Sequence, residues 1–219
     1  MNIDNSVDNF YQKNASSNYE DHYDVEHGPR IDWIVDRFNL KSIENKRIID
    51  VGCGKGNFFK RLNPKNFFVG IDGAKINKKL CDFFLLKVNL DYPFSYLFDN
   101  EEKFDFLIAS EVIEHISGLD NMLLEMKGLL KENAKALFTI PHVSITHPTI
   151  YPGIFYPENN FKTFIEQYGW IVEEVDYCNV GCKSVCFLVR NAPLTESRPM
   201  FVKNEPKFYG KTPREYTNL

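Results

Sequence analysis

The chain has 219 residues, 43% of them apolar and 26% charged, a balance that suits one folded domain and excludes disorder over the whole length. Its net charge is −4, which excludes a protein built mainly to grip phosphate backbones, so no nucleic acid is expected as partner. No apolar run approaches the roughly 20 residues that a membrane-spanning helix needs, and the polar, acidic start from Met1 to Asp8 shows no signal peptide. Five cysteines, an odd number, predict reduced thiols and a cytoplasmic location.

Residues 1–29 are polar, lack a steady period and read as a loose arm or lid, with Tyr11, Tyr19, Tyr23, His22 and His27 available to fold over a ligand. A domain follows over 30–192. Gly28-Pro29 suits a helix start, and Ile31, Ile34, Val35 and Phe38 share one helical face. Arg47 to Val51 reads as a short buried strand ending in glycines, followed by a helix over Phe58 to Leu62 that stops before Pro64. Phe67 to Ile71 is the second strand, Ala74 to Cys81 a helix, Phe84 to Val88 the third strand and Phe104 to Ala109 the fourth. Leu119, Met122, Leu123, Met126, Leu129 and Leu130 keep a helical spacing, and Ala136 to Ile140 is a fifth strand cut by Pro141. Phe161, Phe164, Ile165 and Tyr168 mark another helix, closed by Gly169. Trp170 to Tyr177 and Ser184 to Arg190 read as an antiparallel pair joined around Gly181, and 193–219 as an irregular tail.

Strands alternating with helices predict an α/β, Rossmann-like three-layer sandwich: a seven-stranded, mostly parallel sheet with an antiparallel C-terminal strand. In such a sheet, ligands bind beyond the carboxyl ends of the strands. The residues there are Gly52-Cys53-Gly54-Lys55-Gly56 after strand one, Asp72 after strand two and Asn89-Leu90-Asp91 after strand three. Ser110-Glu111 follow strand four, and Pro141-His142 follow strand five. A glycine turn lets a ligand approach the backbone, and a carboxylate 20 residues after Gly52 suits the two hydroxyls of a ribose. Asn57 stands where the dinucleotide fingerprint needs glycine or alanine, which demotes a nicotinamide-dependent oxidoreductase. No phosphate-binding G-x-x-x-x-G-K-[ST] motif is present.

Ile48-Ile49-Asp50-Val51-Gly52-Cys53-Gly54-Lys55-Gly56 resembles motif I of class I S-adenosylmethionine-dependent methyltransferases, and Val69-Gly70-Ile71-Asp72 resembles their second-strand motif. Phe104 to Ile116, containing Ser110-Glu111-Val112-Ile113-Glu114-His115, resembles the fourth-strand motif, and Leu129-Leu130-Lys131 through Pro141 the fifth-strand segment. The resemblance spans about residues 28–190 and is nearest to small-molecule enzymes of the ubiquinone-biosynthesis O-methyltransferase type. It implies S-adenosyl-L-methionine as cofactor and the following roles. The backbone from Gly52 through Cys53 and Gly54 to Gly56 lies under the methionine part, and Arg30 binds its carboxylate. Asp72 binds the ribose, Gly73 and Ala74 pack beside ribose and adenine, and Asn89 and Leu90 flank the adenine. Ser110 offers its carbonyl to the amino group, and Asp50 supports the loop or an amine through water. Two positions depart from the family pattern. Asn89 replaces a common acidic residue but still accepts a hydrogen bond, and Lys131-Glu132-Asn133 replaces a Lys-Pro-Gly-Gly turn.

On a helix start, Glu111, Glu114 and His115 share one face. They read either as a polar helix entrance or, with His142 or His147 added, as a site for Mg²⁺ or Mn²⁺ that lowers the pKa of an acceptor hydroxyl. His115, His142 and His147 are the candidate bases, against a reading of the two loop histidines as merely polar. Tyr151, Phe155 and Tyr156 read as an acceptor-pocket wall or as ordinary packing. Cys178, Cys182 and Cys186, spaced C-x₃-C-x₃-C, read as buried structural thiols rather than a metal site, and Cys53 as small packing in the turn. A small-molecule acceptor is expected, a phenolic or sugar-type metabolite or surface-polysaccharide precursor methylated on oxygen. The alternatives are N-methylation of a small amine, a non-catalytic cofactor-binding subunit and the oxidoreductase.

Overall fold

The computed structural model describes residues 19–73, 83–98, 102–116, 118–142, 158–181 and 183–192. Seven strands form one sheet: β1 (Arg47–Val51), β2 (Phe67–Asp72), β3 (Phe84–Lys87), β4 (Phe104–Ser110), β5 (Leu130–Pro141), β6 (Trp170–Cys178) and β7 (Ser184–Asn191). Their order is β3-β2-β1-β4-β5-β7-β6. Strands β1 to β5 run parallel, and β7 lies antiparallel to both β5 and β6. The expected mostly parallel sheet with its antiparallel C-terminal strand is therefore what the chain forms.

The strands read as apolar runs because both faces of the sheet are covered. On one face, Ile49, Val51, Leu107, Ala109 and Phe138 pack with Leu119, Met122, Leu123 and Met126 of helix α2 (Leu119–Leu129) and with Phe161 and Ile165 of α3 (Glu158–Gln167). On the other, Ile48, Phe106, Ile108 and Leu137 pack with Ile31, Ile34 and Val35 of α1 (Tyr19–Arg37). Cys178 and Cys186 belong to this second layer as buried thiols, and burial pushes the Cys186 thiol up. Cys182 lies outside the described residues.

The structure corrects three boundaries. Helix α1 begins at Tyr19, so residues 19–29 are helical rather than part of a loose arm, and Pro29 lies inside the helix instead of starting it. Proline removes one helical N–H but its fixed φ is helical, so the turn before it continues at the loss of one hydrogen bond. Phe59–Arg61 is a single 3₁₀ turn within the region expected as a helix. Strand β5 starts at Leu130, directly after α2. Its pairing on β4 jumps from Phe104↔Leu130 to Phe106↔Lys135, and Asn133 takes a left-handed φ of 60° in the excursion. Asparagine tolerates that conformation, so it turns the chain here as glycine does elsewhere. The expected helix over Ala74 to Cys81 and the tail over 193–219 lie outside the described residues. Among the described residues, no helix is long and apolar enough to cross a membrane.

Candidate active site

The carboxyl ends of the parallel strands gather the expected ligand-facing residues. After β1 the chain turns back on β2: the N–H groups of Gly52 and Cys53 both donate to the Ile71 carbonyl, at 2.8 and 3.2 Å. The Gly54 N–H then donates to Asp72 Oδ2 at 2.8 Å, so the carboxylate at the end of β2 grips the glycine turn. Gly52 is glycine because of close packing. A Cβ there would lie 2.4 Å from Val112 Cγ2. Gly54 shares the positive φ, +50° against +74° at Gly52, but a Cβ added to it would meet nothing within 4 Å. It borders open space beside Asp72.

A second cluster lies beyond β4. Glu111 has a left-handed φ of 53°. Its Oε1 accepts hydrogen bonds from Thr139 Oγ1 of β5 and Ser184 Oγ of β7, each at 2.9 Å. Its Oε2 lies 3.3 Å from Arg30 Nη1 of α1. Ser110 Oγ is 2.8 Å from Thr139 Oγ1. Because the Thr139 hydroxyl donates to Glu111, that of Ser110 donates to Thr139. Arg30, Thr139 and Ser184 are buried, so this is an interior network with opposite charges paired.

The turn, the carboxylate after β2 and the β4 end stand in the order of a nucleoside-binding crest, and the methyltransferase-domain family model matches residues 19–178. The chain belongs to the S-adenosylmethionine-dependent methyltransferases. Among curated proteins this methyltransferase is 31% identical over 104 residues to the ubiquinone biosynthesis O-methyltransferase of Pelagibacter ubique, covering 44% of the chain and 42% of the relative. It is 29% identical over 117 residues to that of Rickettsia prowazekii, covering 50% and 46%. The matches span under half the length of both relatives. An Aquifex aeolicus S-adenosylmethionine-dependent methyltransferase shares the fold with a TM-score of 0.61 and 20% identity, over 84% of this chain and 98% of the other. N-methyltransferase NodS of Bradyrhizobium japonicum, solved with S-adenosyl-L-homocysteine, gives a TM-score of 0.59 and 13% identity over 85% and 99%.

The other expected site residues fall as follows. Leu90 is buried. Asn89 uses its Oδ1 to accept from the Asp91 N–H at 3.0 Å, a local turn that occupies the side chain expected at the adenine. Gly73 is half-buried, and a side chain there would touch the Val88 carbonyl, 3.5 Å from its Cβ, whereas Ala74 lies outside the described residues. Arg30 is drawn to Glu111 and Ser184 rather than standing open at the crest. The shared helix face of Glu111, Glu114 and His115 does not form. Left-handed backbone at 111 precedes a 3₁₀ turn over Ile113–His115, which sends Glu111 to the β5–β7 hydroxyls while Glu114 points into the interior, fully buried. Among the described residues no group of three His, Cys, Asp or Glu side chains converges as metal ligands. His115 lies 3.6 Å from Glu114, and both Glu114 oxygens lack a hydrogen-bond partner among the described residues. Burial, with the Glu111 charge adding, holds this carboxyl well above the ordinary range.

His142 directly follows β5, with its N–H on the Lys183 carbonyl at 3.0 Å and its ring edge-on to Tyr177, 5.5 Å between centroids. His147, Tyr151, Phe155 and Tyr156 lie outside the described residues, as does Tyr11, and the Tyr19, His22 and Tyr23 side chains are likewise not described. Thr139 and Ser184, central to the network, carry no sequence signal beyond being hydroxyls in apolar strands. A cavity of about 290 Å³ lined by Phe38, Leu40, Asp105 and Lys135 opens at the opposite, amino end of the strands.

Asp50 is buried beneath the turn, and burial, then the nearby Asp72 charge, pushes its carboxyl well above the usual range. The folded state therefore binds a proton that the unfolded chain releases at ordinary carboxylate pH. Stability from this group is complete below the unfolded value near 4 and falls as pH rises through and above it. Asp50→Asn is expected to make the downward slope in urea unfolding measured from pH 4 to pH 7 shallower, leaving the part that the likewise raised Glu114 carboxyl contributes. An unchanged slope would reassign it to another group.

Proposed function

We propose that this methyltransferase moves a methyl group from S-adenosylmethionine to a hydroxyl of a small molecule, of phenolic or sugar type. The observation that carries the cofactor half is the open face of Gly54 beside the Asp72 carboxylate: the turn leaves space where a side chain would otherwise stand, next to an acceptor suited to ribose hydroxyls. When bound, the cofactor supplies a methyl group already activated by a sulfonium. The chain's own contribution is alignment, because in-line displacement rewards correct placement of the reacting atoms. Asp72 accepts the ribose hydroxyls, the turn carries the methionine part, and Leu90 offers an apolar flank to the base.

An alcohol must also lose its proton, and a ring nitrogen of His142 is the assigned acceptor of it. Its position beyond β5 and its ring held against Tyr177 support that role. The oxygen acceptor draws support from the curated relatives, whose names specify O-methylation.

Calorimetric titration with S-adenosylhomocysteine and with NAD tests the cofactor, and methyl-labelled cofactor with a panel of phenols, sugars and amines tests the acceptor. Homocysteine-product binding without NAD binding is expected, and Asp72→Ala should weaken it by about 1.5–3 kcal/mol, the range for hydrogen bonds to a charged group. NAD binding alone would reject the reading. Labelling of amines with no labelling of hydroxyls would move the acceptor atom to nitrogen.

A further inference from the structure

We infer that Ser184 and Thr139 are positioning residues for the cofactor turn, acting through Glu111 and Val112; this rests on the reading of that turn as the cofactor site. The two hydroxyls come from adjacent strands, β7 and β5, and both are fully buried. Each donates to the same oxygen of Glu111 at 2.9 Å, while Arg30 faces the other oxygen at 3.3 Å. A carboxylate held on both oxygens from three elements has no freedom to rotate.

The residue so held has φ 53°, a left-handed backbone that a long L side chain does not keep unaided. Holding its carboxylate therefore holds the turn out of β4. The next residue, Val112, is the one packed onto Gly52, with Cγ2 only 2.4 Å from where a Cβ on that glycine would lie. Val112 seats the first residue of the cofactor turn, and Glu111 seats Val112. Two strand hydroxyls, neither of them in a recognised motif, thereby set the position of the crest.

The test titrates the full chain with S-adenosylhomocysteine and compares Ser184→Ala, Ser184→Thr and Thr139→Val with the unaltered protein. Ser184→Ala and Thr139→Val are each expected to weaken binding about tenfold, the scale of one hydrogen bond to a charged group. Ser184→Thr, which keeps the hydroxyl, is expected to bind within about threefold of the unaltered chain on the same scale. Because the path runs through Val112, Ser184→Ala and Val112→Ala combined should be no weaker than the weaker single variant. Unchanged binding in Ser184→Ala, no recovery in Ser184→Thr, or simple additivity with Val112→Ala would overturn the inference. If Ser184→Ala does not fold, Thr139→Val decides on the same tenfold criterion. An unaltered chain that fails to bind S-adenosylhomocysteine rejects the cofactor reading itself, before either hydroxyl is changed.

Discussion

Gly52→Ala is expected to cost about 3 kcal/mol of folding stability, while Gly54→Ala, two residues on, costs about 1 kcal/mol and instead damages cofactor binding. Both positions have positive φ, at 74° and 50°. They differ in what a methyl group would strike. At Gly52 it lands 2.4 Å from Val112 Cγ2 and 2.7 Å from its Cβ, and Val112 is itself buried. Overpacking adds to backbone strain there. At Gly54 nothing stands within 4 Å, so only the backbone term applies to the empty protein. The added methyl projects into the space assigned to the methionine part, and S-adenosylhomocysteine affinity should fall at least about tenfold. Thermal unfolding with and without that ligand separates the two effects. Gly54→Ala binding as tightly as the unaltered chain would show that the ligand lies elsewhere.

Lys127→Met is expected to destabilise by about 3 kcal/mol. Lys127 is a buried cation at the end of α2, and its ammonium donates to the Gly169 carbonyl at 3.1 Å, Asn191 Oδ1 at 2.6 Å and the Ala192 carbonyl at 2.8 Å. It also lies 5.3 Å from the Trp170 ring centroid. One side chain thus ties the last turn of α2 to the start of β6 and the end of β7. Methionine matches the stem but leaves two buried acceptors and one partly buried acceptor without their charged donor. Urea unfolding should show a lower midpoint with an unchanged slope. A loss under about 1 kcal/mol would mean that water replaces the ammonium at all three acceptors.

Strands β1, β2 and β4 were legible because burial of their central residues writes them as apolar runs, and the half-exposed β3 because its residues Phe84-Leu85-Leu86 are apolar all the same. The nearness of the glycine turn to Asp72 was legible because parallel pairing of β1 and β2 turns the spacing between the two strand ends into a spatial relation. Glu111 was misread for a physical reason. With Glu114 and His115 it has helical spacing, but one left-handed residue breaks the face, and conformation at a single glutamate leaves no trace in composition. Thr139 and Ser184 were invisible for a related reason. Their importance comes from β5 and β7 lying side by side in antiparallel register, a long-range fact. The early start of β5 was hidden by Lys131-Glu132-Asn133, exposed polar residues that fall in the break of the β4 pairing between Leu130 and Lys135. Pro29 misled because proline is commoner at the first turn of a helix than within it.

Strand β6 forms one border of the sheet, and its side chains Glu174 and Asp176 are bonded by Arg37 from α1, while Glu173 is paired by Lys135 and Arg190. Each carboxylate is thereby satisfied within its own molecule. The backbone of a terminal strand is a template on which fibrils grow, and here a row of charged side chains guards it, because a second molecule docking on this border would have to break or bury these internal pairs. Replacing the acids with neutral residues would remove that guard.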